Sequence, residues 1–199
     1  MLRIAAVLAL LFALDACVAI AQTPSRVRGV VDKVDDQSVT VKTRDGQTLS
    51  VKLNPNWGVV TVSTAAIADI KQGTFVGVAA LRQADGTFKA QEVVLFPEAM
   101  RGTGEGHYPW DLTPESTMTN ATVDAVVSQV NGPQLTLKYK DGEVKIAVPA
   151  EAPIVTLGPG DKALLAPGAA VFVPAQRAAD GTLSAGRVLV GKDGVVPPM

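Results

Sequence analysis

Several short motifs occur twice in this 199-residue chain at a nearly constant separation. Val30-Val-Asp-Lys-Val34 reads against Val126-Val-Ser-Gln-Val130, an offset of 126 − 30 = 96, and Asp45-Gly46 reads against Asp141-Gly142 at the same offset. Val60-Thr-Val62 reads against Val155-Thr-Leu157, Gly73 against Gly168, and Ala84-Asp-Gly-Thr87 against Ala179-Asp-Gly-Thr182, all at offset 95. A register change of one residue therefore falls between the first Asp-Gly turn and the Val-Thr strand. Self-similarity at a fixed period means that one supersecondary unit is used twice. The organisation expected from it is a first repeat at residues 22–97, a linker at 98–120, a second repeat at 121–192 and a tail at 193–199.

Both repeats read as β structure. Val39, Val41 and Thr43 alternate with Thr40, Lys42 and Arg44, and after Asp45-Gly46 the residues Leu49, Val51 and Leu53 alternate with polar neighbours. This is a half-buried hairpin closed by an Asp-Gly turn. The second repeat has Leu135, Leu137 and Tyr139, then Val144, Ile146 and Val148. Later hairpins turn at Asp85-Gly86 and Asp180-Gly181, with strands at about 74–82 and 88–96, and at about 170–177 and 183–190. Thr64 to Ile70 lacks strand alternation and reads as a short helix capped by Ser63 or Thr64, and Asp161 to Leu165 as little more than one turn between prolines. The order strand, strand, strand, helix, strand, strand is that of a five-stranded OB-like barrel. The expected fold is therefore all-β: two tandem small five-stranded OB-like barrels, each with one short helix. Two small β-sandwiches are the alternative.

The series Val-x-x-Val, Asp-Gly hairpin, short helix, Gly73-Thr-Phe-Val76-Gly-Val78 and Ala84-Asp-Gly-Thr-Phe-Lys-Ala90-Gln-Glu-Val93, present in both halves, resembles an uncharacterised family of small exported bacterial β-barrel domains. The resemblance covers roughly residues 27–96 and 122–190. It rests on turn and core residues, so it implies an OB-like barrel and no assigned chemistry.

The N-terminus predicts export. Met1-Leu-Arg3 is a short positive start, Ile4 to Leu14 is an apolar run, and Ala19-Ile-Ala21 fits the small-x-small rule for cleavage before Gln22. A signal peptide at 1–21 and a periplasmic or secreted mature chain follow. The alternative is a lipoprotein, because Leu14-Asp-Ala-Cys17 resembles a lipobox that would anchor the chain through Cys17. Cleavage after Ala21 removes the only cysteine, and with it disulfides, thiol nucleophiles and thiolate metal sites. No later apolar run is long enough to span a bilayer. The net charge is −1 and the Lys and Arg residues are scattered, which gives no electrostatic footprint for nucleic acid.

The duplication leaves one segment unexplained, Arg101 to Leu112. It contains the only histidine, His107, together with Tyr108, Trp110 and Asp111. Trp and Tyr offer flat apolar area with one polar handle, which suits a protein partner or small ligand. Tyr108, Trp110 and Asp111 are thus the candidate ligand contacts; the competing role is a brace between two barrels. His107 with Glu105, and with Met100 or Met118 near it in sequence, is a candidate metal set, although one imidazole is a thin one. No cofactor is implied. A hydrolase would have to use His107 and lacks a Gly-x-Ser-x-Gly elbow. The expectation is a non-enzymatic envelope protein that binds an unknown envelope protein or small ligand. A metal-handling accessory protein and a cryptic hydrolase follow as second and third readings.

Overall fold

The computed structural model of the chain describes residues 22–130 and 132–199. The expected signal peptide with its cleavage site, and the alternative anchor at Cys17, lie outside these residues. The protein is nearly all β, as its alternation and turn chemistry require. The described residues form twelve strands: β1 (Thr23–Val34), β2 (Ser38–Thr43), β3 (Thr48–Thr64), β4 (Phe75–Arg82), β5 (Phe88–Leu95), β6 (Gly106–Pro109), β7 (Thr117–Val127), β8 (Gln134–Tyr139), β9 (Gly142–Ala147), β10 (Ile154–Gly160), β11 (Ala170–Arg177) and β12 (Leu183–Gly191).

Five strands close into a barrel. β1 pairs with β2, β2 with β3, β3 with β12 in parallel, β12 with β11, and β11 with β1. A second circuit runs β7, β8, β9, β5, β4 and back to β7. It is closed between β5 and β9 by Phe88↔Ile146 and Lys89↔Ala147. Closure pairs the outer strands of each ring with one another, and β6 remains an edge strand paired with β7. The first ring is filled by Val27, Val31, Val39, Val41, Val51, Val173 and Val188, among others. The second is filled by Val76, Val78, Val93, Val123, Leu135, Leu137 and Ile146, among others.

Neither ring is built from one repeat. The first takes β1–β3 from residues 23–64 and β11–β12 from residues 170–191, and the second takes β7–β9 and β4–β5. The expectation of one barrel within 22–97 and another within 121–192 is corrected accordingly: the repeats exchange their last two strands. The cause is the length of β3, 17 residues against the five or six of an ordinary strand. Its second half pairs with β12 of the first ring on one edge and with β10 on the other, and the chain beyond it delivers β4 to the second ring. β3 and β10 pair antiparallel from Val155↔Thr64 to Gly160↔Val59. At offset 95 Val62 corresponds to Leu157 (157 − 62 = 95), and these two residues are partners in that ladder. The seam is therefore a local two-fold axis relating the rings.

Strand register also corrects the alignment of the first motif. Val31 stands opposite Val41 and precedes a bulge, whereas Val123 stands opposite Leu137 and precedes a bulge. Val31-Asp-Lys-Val34 is thus equivalent to Val123-Asp-Ala-Val126, at offset 123 − 31 = 92. Gly168 and Ala169 bond Val31 just as Gly73 and Thr74 bond Val123. A longer β7–β8 connection absorbs the difference of four residues and leaves Val130 fully exposed. The one-residue change lies in the next hairpin. Thr43 bonds Gln47 around Asp45-Gly46, but Tyr139 pairs directly with Gly142.

The expected helix at 64–70 shrinks to one 3-10 turn at Ile67–Asp69, matched by another at Lys162–Leu164. Ser63 and Thr64 are unavailable as caps because the seam uses their backbone. The amide of Ala66 instead donates to Asp69 Oδ2 at 2.9 Å.

Strand exchange predicts how fragments behave. Residues 22–97 alone, lacking β11 and β12, should show no cooperative melt by circular dichroism. Refolding them with residues 98–199 should give a 1:1 complex that melts cooperatively. A cooperative melt of the isolated 22–97 fragment as a monomer would contradict the exchange.

Candidate functional site

The 101–112 segment is a short strand followed by a turn. β6 pairs with β7 from Gly106↔Asn120 to Pro109↔Thr117. The turn beyond it closes with the Trp110 amide donating to Ser116 O at 2.7 Å, and Ser116 Oγ donates to Thr113 O at 2.8 Å. Successive side chains of a strand point to opposite faces, so the residues gathered in sequence are separated in space. His107 faces the second ring, where it lies edge-on to Phe88 (centroids 5.4 Å apart) and stacks on Tyr139 (6.2 Å). Its Nδ1 is 2.8 Å from Thr119 Oγ1. Burial lowers its pKa below the ordinary histidine value, which favours the neutral ring. Tyr108 and Trp110 take the other face, towards the seam.

Trp110 reaches across to the first ring. Arg26 and Arg28 project from the same side of β1, two residues apart, with Val27 directed into the core between them. The Arg26 guanidinium lies 3.8 Å from the Trp110 ring centroid and that of Arg28 lies 5.9 Å away. Asp111 binds both, at 2.7 Å to Arg28 Nη2 and 3.4 Å to Arg26 Nη1. Burial raises the Asp111 pKa, but the Arg28 hydrogen bond and the two positive charges outweigh it, and the carboxyl sits below its usual range. Trp110 packs on a third apolar cluster, between the rings, that includes Val62, Val94, Leu157, Phe172, Leu189 and Met199.

A cavity of ≈ 250 Å³ opens at this junction. Tyr108 and Trp110 line it with Val60, Val94 and Leu157 from the seam region and with Asn120 of β7. Met100, Met118 and Met199 also line it; they are all the methionines among the described residues. Asn120 is 7 % exposed. Its Nδ2 donates to Thr103 O at 3.0 Å and to Tyr108 Oη at 3.2 Å. Its Oδ1 and the indole Nε1 of Trp110 are buried with no partner among the described residues. Gly77 makes room for that amide, since a Cβ there would stand 2.6 Å from Oδ1.

Glu92 is the second polar anomaly. β5 bulges opposite Ala79 and Ala80, so Ala90 and Val93 both enter the core of the second ring while Glu92 shares the outer face with Val94. The side chain is fully buried and neither carboxyl oxygen has a hydrogen-bond partner among the described residues. Burial pushes its pKa up to about 8, against the opposing pull of Arg28 and Arg44. At neutral pH it is mostly the uncharged acid.

The structure thus brings Tyr108, Trp110 and Asp111 to one junction and places His107 elsewhere. Glu105 is exposed, and the described residues contain no group of three His, Cys, Asp or Glu that could hold a metal. Sequence reasoning missed Arg26, Arg28, Asn120 and Glu92. A signal existed for Glu92: it abuts the apolar run Val93–Phe96, and its counterpart at offset 95 is Arg187 (187 − 92 = 95).

Among the described residues no helix is long and apolar enough to cross a membrane. Residues 28–94 match a family model described as Domain of unknown function (DUF5666). The match runs from β1 to β5, so its strands are divided between the two rings. No curated protein and no solved structure matches the chain.

Two outcomes follow. Trp110→Ala should lower stability by about 2 kcal/mol, below the loss for a fully buried Trp, read by urea denaturation; an unchanged midpoint would show that Trp110 is no brace. For Glu92 the folded pKa lies above the unfolded value of 4.5. Its stabilising contribution is full below pH 4.5 and is lost as pH rises to about 8. Glu92→Gln should therefore melt with wild type at pH 4.5 and several degrees higher at pH 8.5. Equal gaps at both pH values would contradict this.

Proposed function

We propose that this protein is an exported, non-enzymatic binding module that holds a small molecule in the cavity between its two rings. One observation carries the reading: Tyr108 and Trp110, the recognition-type residues outside the repeats, form part of the wall of a ≈ 250 Å³ cavity. Ligand sites favour such mostly apolar hollows with a few convergent polar groups. The leader at residues 1–21 supports export, and the paired motifs support an origin by duplication of one OB-like unit. A protein partner is the weaker choice, because Tyr108 and Trp110 turn towards the seam, where Trp110 packs on the inter-ring cluster.

Native mass spectrometry of protein purified from an envelope fraction tests this. Wild type should carry a dissociable small molecule. Leu157→Trp, which fills the cavity, should lose at least nine-tenths of it while keeping a cooperative melt. Wild type without bound mass, or equal occupancy in the variant, would reject the reading.

A further inference from the structure

We propose that the cavity between the rings takes an amphipathic carboxylate, with its apolar chain seated inside and its charged head held by arginine at the opening. The inference rests on the small-molecule reading above and names its ligand class.

The first ring supplies one wall. Val173 and Val188 point into its core, so Phe172, Pro174, Arg187 and Leu189 stand on the outer face, and all four line the cavity. Phe172 and Leu189 are partners in an apolar row. Two residues along β11 comes Pro174, whose partner on β1 is Arg26, and two residues before Leu189 on β12 comes Arg187. An apolar row therefore lies beside one that carries two guanidinium groups. Val60, Val94 and Leu157 continue the apolar surface.

The charges around the cavity are unequal. Two arginines line it, and no Asp or Glu side chain does. Arg28, behind them, is occupied by Asp111 and by the main-chain oxygen of Met199. Arg26 shares Asp111 at 3.4 Å. Arg187 is exposed and forms no ion pair among the described residues. An arginine lays its stem along apolar surface and keeps its head in water, so the positive charge sits at the opening. A carboxylate there keeps part of its hydration, which it would lose deeper among apolar walls. The guanidinium fork matches a carboxylate with two parallel bonds, whereas a cationic head is repelled. Volume sets the length of the chain. An engineered cavity of about 150 Å³ accepts the six carbons of benzene, so ≈ 250 Å³ suits about ten.

The test compares decanoate with decylammonium, which has the same chain and the opposite charge. Each is titrated at low ionic strength into residues 22–199 and followed on the indole N–H resonances of 15N-labelled protein. Trp57, which lies against Lys162 in the first ring, is the internal control. Decanoate should bind at least tenfold more tightly, moving Trp110 and leaving Trp57 unchanged. Arg187→Gln, at an exposed position that leaves the ties between Arg26, Asp111 and Trp110 intact, should melt as wild type does and reduce the ratio to threefold or less. An unchanged ratio in that variant would overturn the place given to the head group. Equal binding of the two probes to wild type would overturn the charge selection while leaving the cavity reading in place. Binding by neither up to its solubility limit, or a shift confined to Trp57, would overturn the ligand class; the cavity reading itself falls only if protein from the envelope fraction also carries no bound mass.

Discussion

The antiparallel ladder between β3 and β10 is the constraint on which the molecule depends. It pairs Val62 with Leu157 across the local two-fold axis. In each ring the same stretch of chain also pairs in parallel with the last strand of the ring: β3 with β12 and β10 with β5. The seam therefore continues the walls of both rings. A chain that follows it cannot return to its own ring, so exchange of the last two strands and fusion of the rings are one event. Backbone groups that a separate barrel would leave unpaired at its edge are satisfied inside the protein.

The cavity arises because this symmetry holds for backbone and fails for side chains. Gly77 occupies the position equivalent to Phe172, and Glu92 the position equivalent to Arg187, each at offset 95. Gly77, Phe172 and Arg187 all line the cavity between the rings. The 101–116 segment has no counterpart in the repeat and bounds the cavity, with β6 fastened to β7 and Trp110 and Asp111 fastened to Arg26 and Arg28. Trp110 and Arg26, which tie the segment to the first ring, also line the cavity. The grip of Asp111 on two arginines holds the indole in place, and the indole bounds the cavity.

Much of the architecture was legible in residue order. Val39, Val41 and Val51 are completely buried, as their alternation requires, and so are Leu135, Leu137 and Ile146. The glycines of Asp45-Gly46, Asp85-Gly86 and Asp180-Gly181 take positive φ, as such turns require. The later hairpins fall within a residue or so of their expected bounds. The site was legible only in part. Tyr108, Trp110 and Asp111 stood out because they are rare or polar residues in a segment the repeats do not explain. His107 stood out equally, yet lies on the opposite face, because contiguity along a strand implies divergence across it.

The sequence by itself determined the all-β class, the Asp-Gly turns and the buried face of the alternating hairpin strands. These are local properties, set by alternation with period two and by the backbone freedom of glycine. Only the tertiary structure decided which strands share a ring, that the two units exchange their ends, and that Asn120 and Arg26 meet Tyr108 and Trp110 at one junction. A repeat supplies two equally suitable partners for every closing strand, and nothing in the motifs distinguishes them. The length of β3 and its pairing with β10 make that choice, and both are satisfied only once the whole chain is folded.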